Sequence, residues 1–169
     1  MTILTPARAG DLAACCGMID AARIFQREQG FVQWTAAYPN ADTLWHDIQA
    51  GSGYLVETDG RAAGYLCVDF GGEPAYRAIR GAWHTQEPYA VIHRMAFRPD
   101  FRGIGLADTV LGLTEALCLQ NGVHAIRVDT DTANRRMQHI LAKNGYAPCG
   151  VILFQGGEKL AFDKSFGAC

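Results

Sequence analysis

The sequence predicts an α/β chain in which a mixed, mostly antiparallel central sheet of about seven strands is flanked by about four helices. Three features carry that expectation. Asp59-Gly60 stands between two apolar runs, the strongest short-range signal of a hairpin. Apolar or small residues recur at three- and four-residue spacing over Ile104 to Gln120, which describes one face of a long helix. A second strand pair, divided at Gly156-Gly157, closes the chain, so hairpins lie at both ends and a strictly alternating βαβ wind is excluded.

Taken in order, Ile3 and Leu4 begin a short strand, and Asp11 is placed to cap a helix that turns Leu12, Cys16 and Ile19 to one side. Trp34 to Asn40 is aromatic and turn-rich, either a cover over the core or part of a binding surface. A helix within Asp42 to Gln49 stops at Gly51. Tyr54 to Thr58 and Arg61 to Asp69 are the hairpin arms. Gly71 to Glu87 has no clear period and reads as a long functional loop or an irregular excursion. Tyr89 to Phe97 is a strand that Arg98-Pro99 stops, because proline cannot extend a central ladder. The helix that follows buries Ala107, Val110, Leu111, Thr114, Leu117 and Cys118. Ala125 to Asp129 is a short strand, and Thr132 to Asn144 a helix with Asn144-Gly145 as its end signal. Tyr146 to Phe154 and Lys159 to Ser165 are the last strands.

With 169 residues, 49% of them hydrophobic, the chain can bury one core, and a single domain over residues 1–169 is expected. Lys and Arg number 15 against 17 Asp and Glu, which gives no global attraction to nucleic acid or to an anionic membrane. Any anion site must be local. Cys15, Cys16, Cys67, Cys118, Cys149 and Cys169 show neither CxxC nor the Cys/His spacing of zinc sites, so reduced thiols and no metal are expected. No run reaches the roughly 18 apolar residues of a membrane span, and the N-terminus lacks the pattern of a leader, so a cytoplasmic location is expected.

The chemistry concentrates in Arg98-Pro99-Asp100-Phe101-Arg102-Gly103-Ile104-Gly105-Leu106-Ala107. A strand, a basic bend with two glycines and a long helix build an anion site, because the first turn of a helix presents unpaired N–H groups and glycine lets a pyrophosphate come close. No Lys-Ser/Thr follows the glycines as a P-loop requires, and Asp108 occupies the third glycine position of a dinucleotide fingerprint.

Arg102-x-x-Gly105-x-Ala107 resembles the Q/RxxGxG/A signature of the GNAT superfamily of acyl-CoA-dependent N-acyltransferases. Asn134-x-x-Met137, then Leu141 and Lys143-Asn144-Gly145-Tyr146, resembles the second motif of that family. Trp34, Tyr38-Pro39-Asn40, His93-Arg94 and Arg127 to Thr130 are similar to a large bacterial branch of it. The resemblance implies two strands splayed at the acyl-CoA site, with the backbones of Met95, Ala96 and Phe97 holding the acyl arm and one N–H polarising the thioester carbonyl. It implies that Arg102, Gly103, Ile104, Gly105, Leu106 and Ala107 cradle the pyrophosphate. Asn134 then either reaches the pantetheine arm or simply starts a helix, and Lys143 either meets a CoA phosphate or is a solvated helix-end lysine.

The implied activity is N-acetyl transfer from acetyl-CoA to a primary amine of a small-molecule or peptide acceptor, by direct attack and without a covalent enzyme intermediate. His93 and Asp129 are candidates to move the ammonium proton, since both are polar residues in apolar strands. Where many family members carry a tyrosine that protonates the departing thiolate, this chain has Leu141, so either Tyr146 or a water would take the role or the thiolate would leave unassisted. Loss of turnover, leaving an acyl-CoA-binding sensor, is the alternative. Trp34, Tyr38, Tyr76 and Trp83 would line the acceptor side, and the protein would act as a monomer or homodimer.

Overall fold

The computed structural model describes residues 1–167; Cys169 lies outside them. The elements are β1 (Thr2–Pro6), α1 (Leu12–Glu28), α2 (Ala41–Gln49), β2 (Gly53–Thr58), β3 (Arg61–Asp69), β4 (Arg80–Gly81), β5 (Ala90–Phe97), α3 (Leu106–Gln120), β6 (Ala125–Asp131), α4 (Arg135–Lys143), β7 (Ala147–Phe154) and β8 (Gly157–Ser165). The strands form one mixed sheet of 8, ordered β1-β2-β3-β5-β6-β8-β7-β4. The α/β class and the mixed sheet with its helices are therefore as expected, the extra strand being the two-residue β4. Among the described residues no helix is long and apolar enough to cross a membrane.

Two compact units divide the chain: Met1–Val68 with His93–Leu113, and Asp69–Ile92 with Thr114 onward. In the first unit, α1 buries Cys15, Met18, Ile19 and Ala22, together with Leu44 and Ile48 of α2, Leu55, Tyr65 and Trp34. Ile19 is buried as expected, while Cys15 and Met18 supply the centre and the expected Leu12 and Cys16 pack partly buried against it. The hairpin turn is as expected, with Asp59 at φ 51° and Gly60 at φ 76°. The second unit packs Tyr76, Tyr89, Val91, Ala125, Cys149, Ile152 and Ala161. Here the last turn is Gln155-Gly156, not Gly156-Gly157: Phe154 pairs with Gly157, which already belongs to β8.

Two helices start later than periodicity suggests, each for a local reason. Gly103 and Gly105 both adopt φ 77°, a left-handed backbone that no α-helix contains, so α3 opens at Leu106. Asn134 accepts from the Met137 N–H at 3.1 Å and is the N-cap of α4, so that helix begins at Arg135. The aperiodic stretch before β5 holds a 3-10 turn at Pro74–Ala78 and β4.

Candidate active site

In the first unit, the strand end that precedes the signature is bent by Arg94, a non-glycine residue at φ 56°. A backbone of that kind costs about 1–3 kcal/mol and persists only where the surroundings over-determine it. Here they do. The Arg94 guanidinium donates to the Asp47 carboxylate through Nε at 2.8 Å and Nη2 at 2.6 Å, and through Nη1 to the Tyr38 hydroxyl at 2.7 Å. Tyr65 adds its hydroxyl to Asp47 at 2.7 Å. Asp47 is buried, and such forked, charge-assisted bonds are the strong ones. The bend at Arg94 fixes how Met95, Ala96 and Phe97 follow it. Tyr38 is thus tied into this network, and Trp34 is buried in the core of the unit with its backbone N–H donating to Gln26 at 2.9 Å. Trp34 thus packs as a cover over the core of this unit.

His93 is buried, and burial first, then the neighbouring Arg94 charge, push its imidazole down to about 3. It stays neutral at ordinary pH and is a weak proton acceptor. The signature loop is open by contrast. Gly103, Ile104 and Gly105 are exposed, while Leu106 is buried and anchors the amino end of α3. The Arg102 side chain runs back toward α1, donating to the Ala21 carbonyl at 3.1 Å with its guanidinium 4.3 Å above the Phe25 ring. It is therefore also a packing residue of the first unit.

In the second unit, Asp129 on β6 accepts from the Tyr76 hydroxyl at 2.6 Å. Burial pushes its carboxyl up to about 6; the Tyr76 bond and the Lys159 charge oppose this, and Glu73 adds to it. Tyr76 itself is 1% exposed, and burial, then Asp129, hold its hydroxyl well above the usual tyrosine value. The Tyr76 ring packs in the core of this unit, and its hydroxyl is the group that donates to Asp129. Trp83 donates to the Tyr76 carbonyl at 3.0 Å and lies 4.9 Å from its ring, supporting the same residue.

Tyr146 is buried, and its hydroxyl is the one buried side-chain hydroxyl among the described residues that makes no hydrogen bond within the protein. Burial holds it protonated well above neutral pH. Leu141 on α4 is fully buried and packs as core. Lys143 is exposed in the last turn of α4, where the helix dipole favours a cation. A cleft of roughly 290 Å³, lined by Phe70, Glu73, Arg77, Glu87 and Tyr89 among others, lies in the same unit, and its Glu73 is the residue whose charge reaches Asp129.

A family model described as the acetyltransferase (GNAT) family matches residues 19–146. The chain belongs to the GNAT acetyltransferase family. This GNAT chain is 33% identical to an acetyltransferase of the same family from Streptococcus agalactiae 2603, over 99% of this chain and 96% of that one, with a TM-score of 0.89. The fold is also similar to a GNAT acetyltransferase from Listeria monocytogenes 4b F2365, at 20% identity, coverage of 98% and 95%, and TM-score 0.77. A third similar fold is the aminoglycoside acetyltransferase AAC(6')-Ib in complex with coenzyme A, at 18% identity, coverage of 98% and 95%, and TM-score 0.72; the same enzyme has been solved with paromomycin and acetyl-CoA. No curated protein matches the sequence.

As a member of this family the chain is an acyl-CoA-dependent acetyltransferase. The Tyr76–Asp129 pair and the Arg94–Asp47 fork in this GNAT chain were not legible as pairs, because each joins residues tens of positions apart. The available signal was the type of residue: a charged group in the middle of an apolar strand or helix demands a partner.

Proposed function

We propose that the chain, working over residues 1–169 as one N-acetyltransferase domain, transfers the acetyl group of acetyl-CoA to a primary amine of a small-molecule or peptide acceptor by direct attack. The observation that carries this is Asp129, a carboxyl lifted to about 6 and oriented by Tyr76. A base of that strength takes the proton of an ammonium near neutral pH. Acetyl-CoA supplies the thioester carbonyl at which the new C–N bond forms. The backbone of Met95, Ala96 and Phe97, set by the bend at Arg94, would hold the acyl arm and offer an N–H to the developing oxyanion. Gly103, Ile104, Gly105, Leu106 and Ala107 at the amino end of α3, with the charge of Arg102, would hold the pyrophosphate.

Tyr146 would return a proton to the leaving thiolate, in place of the tyrosine absent at Leu141. A protonated, buried hydroxyl without an internal partner fits that task. His93, held neutral, serves as a positioning residue beside Arg94, and Asn134 positions α4 as its cap. Lys143 would meet a phosphate at the end of that helix. Glu73 and Glu87 in the cleft outnumber its one base, Arg77, and this acidic excess favours a cationic acceptor, a chemistry compatible with the aminoglycosides named with the similar fold.

The test is a panel of amines, amino acids, peptides and aminoglycosides, following free thiol release with wild type, Asp129→Asn and Tyr146→Phe. Turnover with at least one amine that both substitutions reduce is expected. Acetyl-CoA binding with no thiol release against any amine would instead support the sensor reading.

A further inference from the structure

Three ligand-bearing side chains meet in the second unit at a place the acetyl-transfer reading does not use. His84 Nδ1 lies 2.9 Å from Asp163 Oδ1 and 3.4 Å from Cys149 Sγ, and the three ligand atoms all lie within 4.8 Å of one another. In a tetrahedral zinc site the N···O and N···S edges are about 3.4 and 3.6 Å. The N···S edge already stands within about 0.2 Å of that geometry, the N···O edge needs to open by about 0.5 Å, and the third pair lies within 4.8 Å.

Separate local devices converge on this arrangement. Cys149 is the extra residue of a bulge in β7, since Pro148 pairs with Phe162 and Gly150 with Ala161; bulges of this kind re-aim a side chain. The segment carrying His84 is brought to β7 by a glycine contact: a Cβ on Gly81 would sit 2.1 Å from the Cys149 carbonyl oxygen, and one on Gly150 2.1 Å from that of Arg80. Ala82 then donates its N–H to the Cys149 carbonyl at 3.0 Å. Asp163, 1% exposed, has one oxygen committed: Oδ2 accepts from the His84 and Thr85 N–H groups at 2.7 and 2.8 Å and from the Thr85 hydroxyl at 3.0 Å. Oδ1 is left facing the imidazole, held by the outer-shell bonds that orient a metal-binding carboxylate.

We propose that His84, Cys149 and Asp163 form a three-ligand site for a borderline-soft divalent cation, zinc being the best match. On binding, the Cys149 proton leaves to solvent and His84 ligates through Nδ1 with its proton on Nε2. Thiolate and carboxylate then balance the charge of the ion. Arg127, whose charge reaches Cys149, has Nε and Nη2 directed at the Thr85 hydroxyl and carbonyl, so these two donors do not occupy the ligand positions. The His84 side chain is 60% exposed, which gives the ion an entry path and leaves room for a water as fourth ligand. Sequence spacing hides the site, because its ligands come from three separate segments.

The experiment is titration of the metal-stripped full chain with cobalt(II), read by thiolate-to-cobalt charge-transfer absorption and tetrahedral visible bands. Saturation at a single equivalent, displacement by zinc and a zinc-dependent rise in melting temperature are expected. Cys149→Ser should abolish the charge-transfer band, Cys16→Ser should keep it, and His84→Ala, at an exposed position that spares the fold, should weaken binding by at least about tenfold. Absence of the band in wild type, or its survival in Cys149→Ser or at undiminished affinity in His84→Ala, overturns the proposal.

Discussion

Replacing Asp129 by asparagine separates the two consequences of burying a carboxylate. Its pKa is raised from 3.8 to about 6, so the neutral form is favoured in the folded protein. The stability this group contributes is fully present below about pH 4 and is lost as pH rises through 6. A displacement of that size is worth about 3 kcal/mol, which the wild type has lost by pH 8 and the asparagine variant never loses. About 1 kcal/mol of the gain is offset, because a neutral amide is a weaker acceptor for the Tyr76 hydroxyl. Asp129→Asn is therefore expected to be more stable than wild type by about 2 kcal/mol at pH 8, with the gap closing toward pH 4. For a chain of this length that is a rise in melting temperature of about 4–8 °C. At the same time kcat should fall by about 10²–10⁴ and its limb near pH 6 should vanish. Melting curves across pH and acceptor-saturated pH–rate profiles test both halves. Coincident melting of the two proteins at every pH, or a surviving limb near pH 6 in the variant, would refute the reasoning.

Tyr146→Phe removes a hydroxyl that makes no internal hydrogen bond, so stability should hold or rise by about 1 kcal/mol while kcat falls about tenfold or more; unchanged kcat removes Tyr146 as proton donor. Arg102→Glu should weaken acetyl-CoA binding at least about tenfold and also cost about 1–2 kcal/mol, because the side chain bonds Ala21 and covers Phe25. Equal affinity by calorimetry would move the pyrophosphate elsewhere. His93 is neutral down to about pH 3 against an unfolded value of 6.5, so its contribution to stability is present above pH 6.5 and fades as pH falls toward 3, by up to about 5 kcal/mol. His93→Gln should flatten the acid side of the urea-midpoint profile; parallel profiles would count against a buried neutral imidazole.

Periodicity and turn chemistry made the elements visible: Asp59-Gly60 marks its hairpin, and the face of α3 through Val110, Leu111, Thr114 and Cys118 is the buried one. What they do not report is which distant segments meet. Gly71 to Glu87 looks patternless because, beyond the two-residue β4, side chains rather than a ladder fix it, through Trp83 on the Tyr76 carbonyl and Asp163 on His84 and Thr85. The same limit applies to the site. Asp129 was visible as a polar residue in an apolar strand, but its partner lies 53 positions earlier, so Tyr76 was read only as an aromatic of the acceptor side. Helix starts were displaced at Gly103, Gly105 and Asn134 because backbone sign and capping, not hydrophobic spacing, decide where a helix can begin.

The fork between Arg94 and Asp47 has a consequence for how this enzyme can change. Since the same guanidinium also holds Tyr38, the connector between the first two helices and the bent end of β5 share one keystone. On the proposed reading, in which Tyr38 lines the acceptor side, an exchange there to admit a bulkier acceptor would loosen the peptide planes at Met95 to Phe97 as well. If the proposed roles hold, variation in what the protein accepts and in how firmly it grips its donor would be inherited together, and a laboratory effort to broaden one would be constrained by the other.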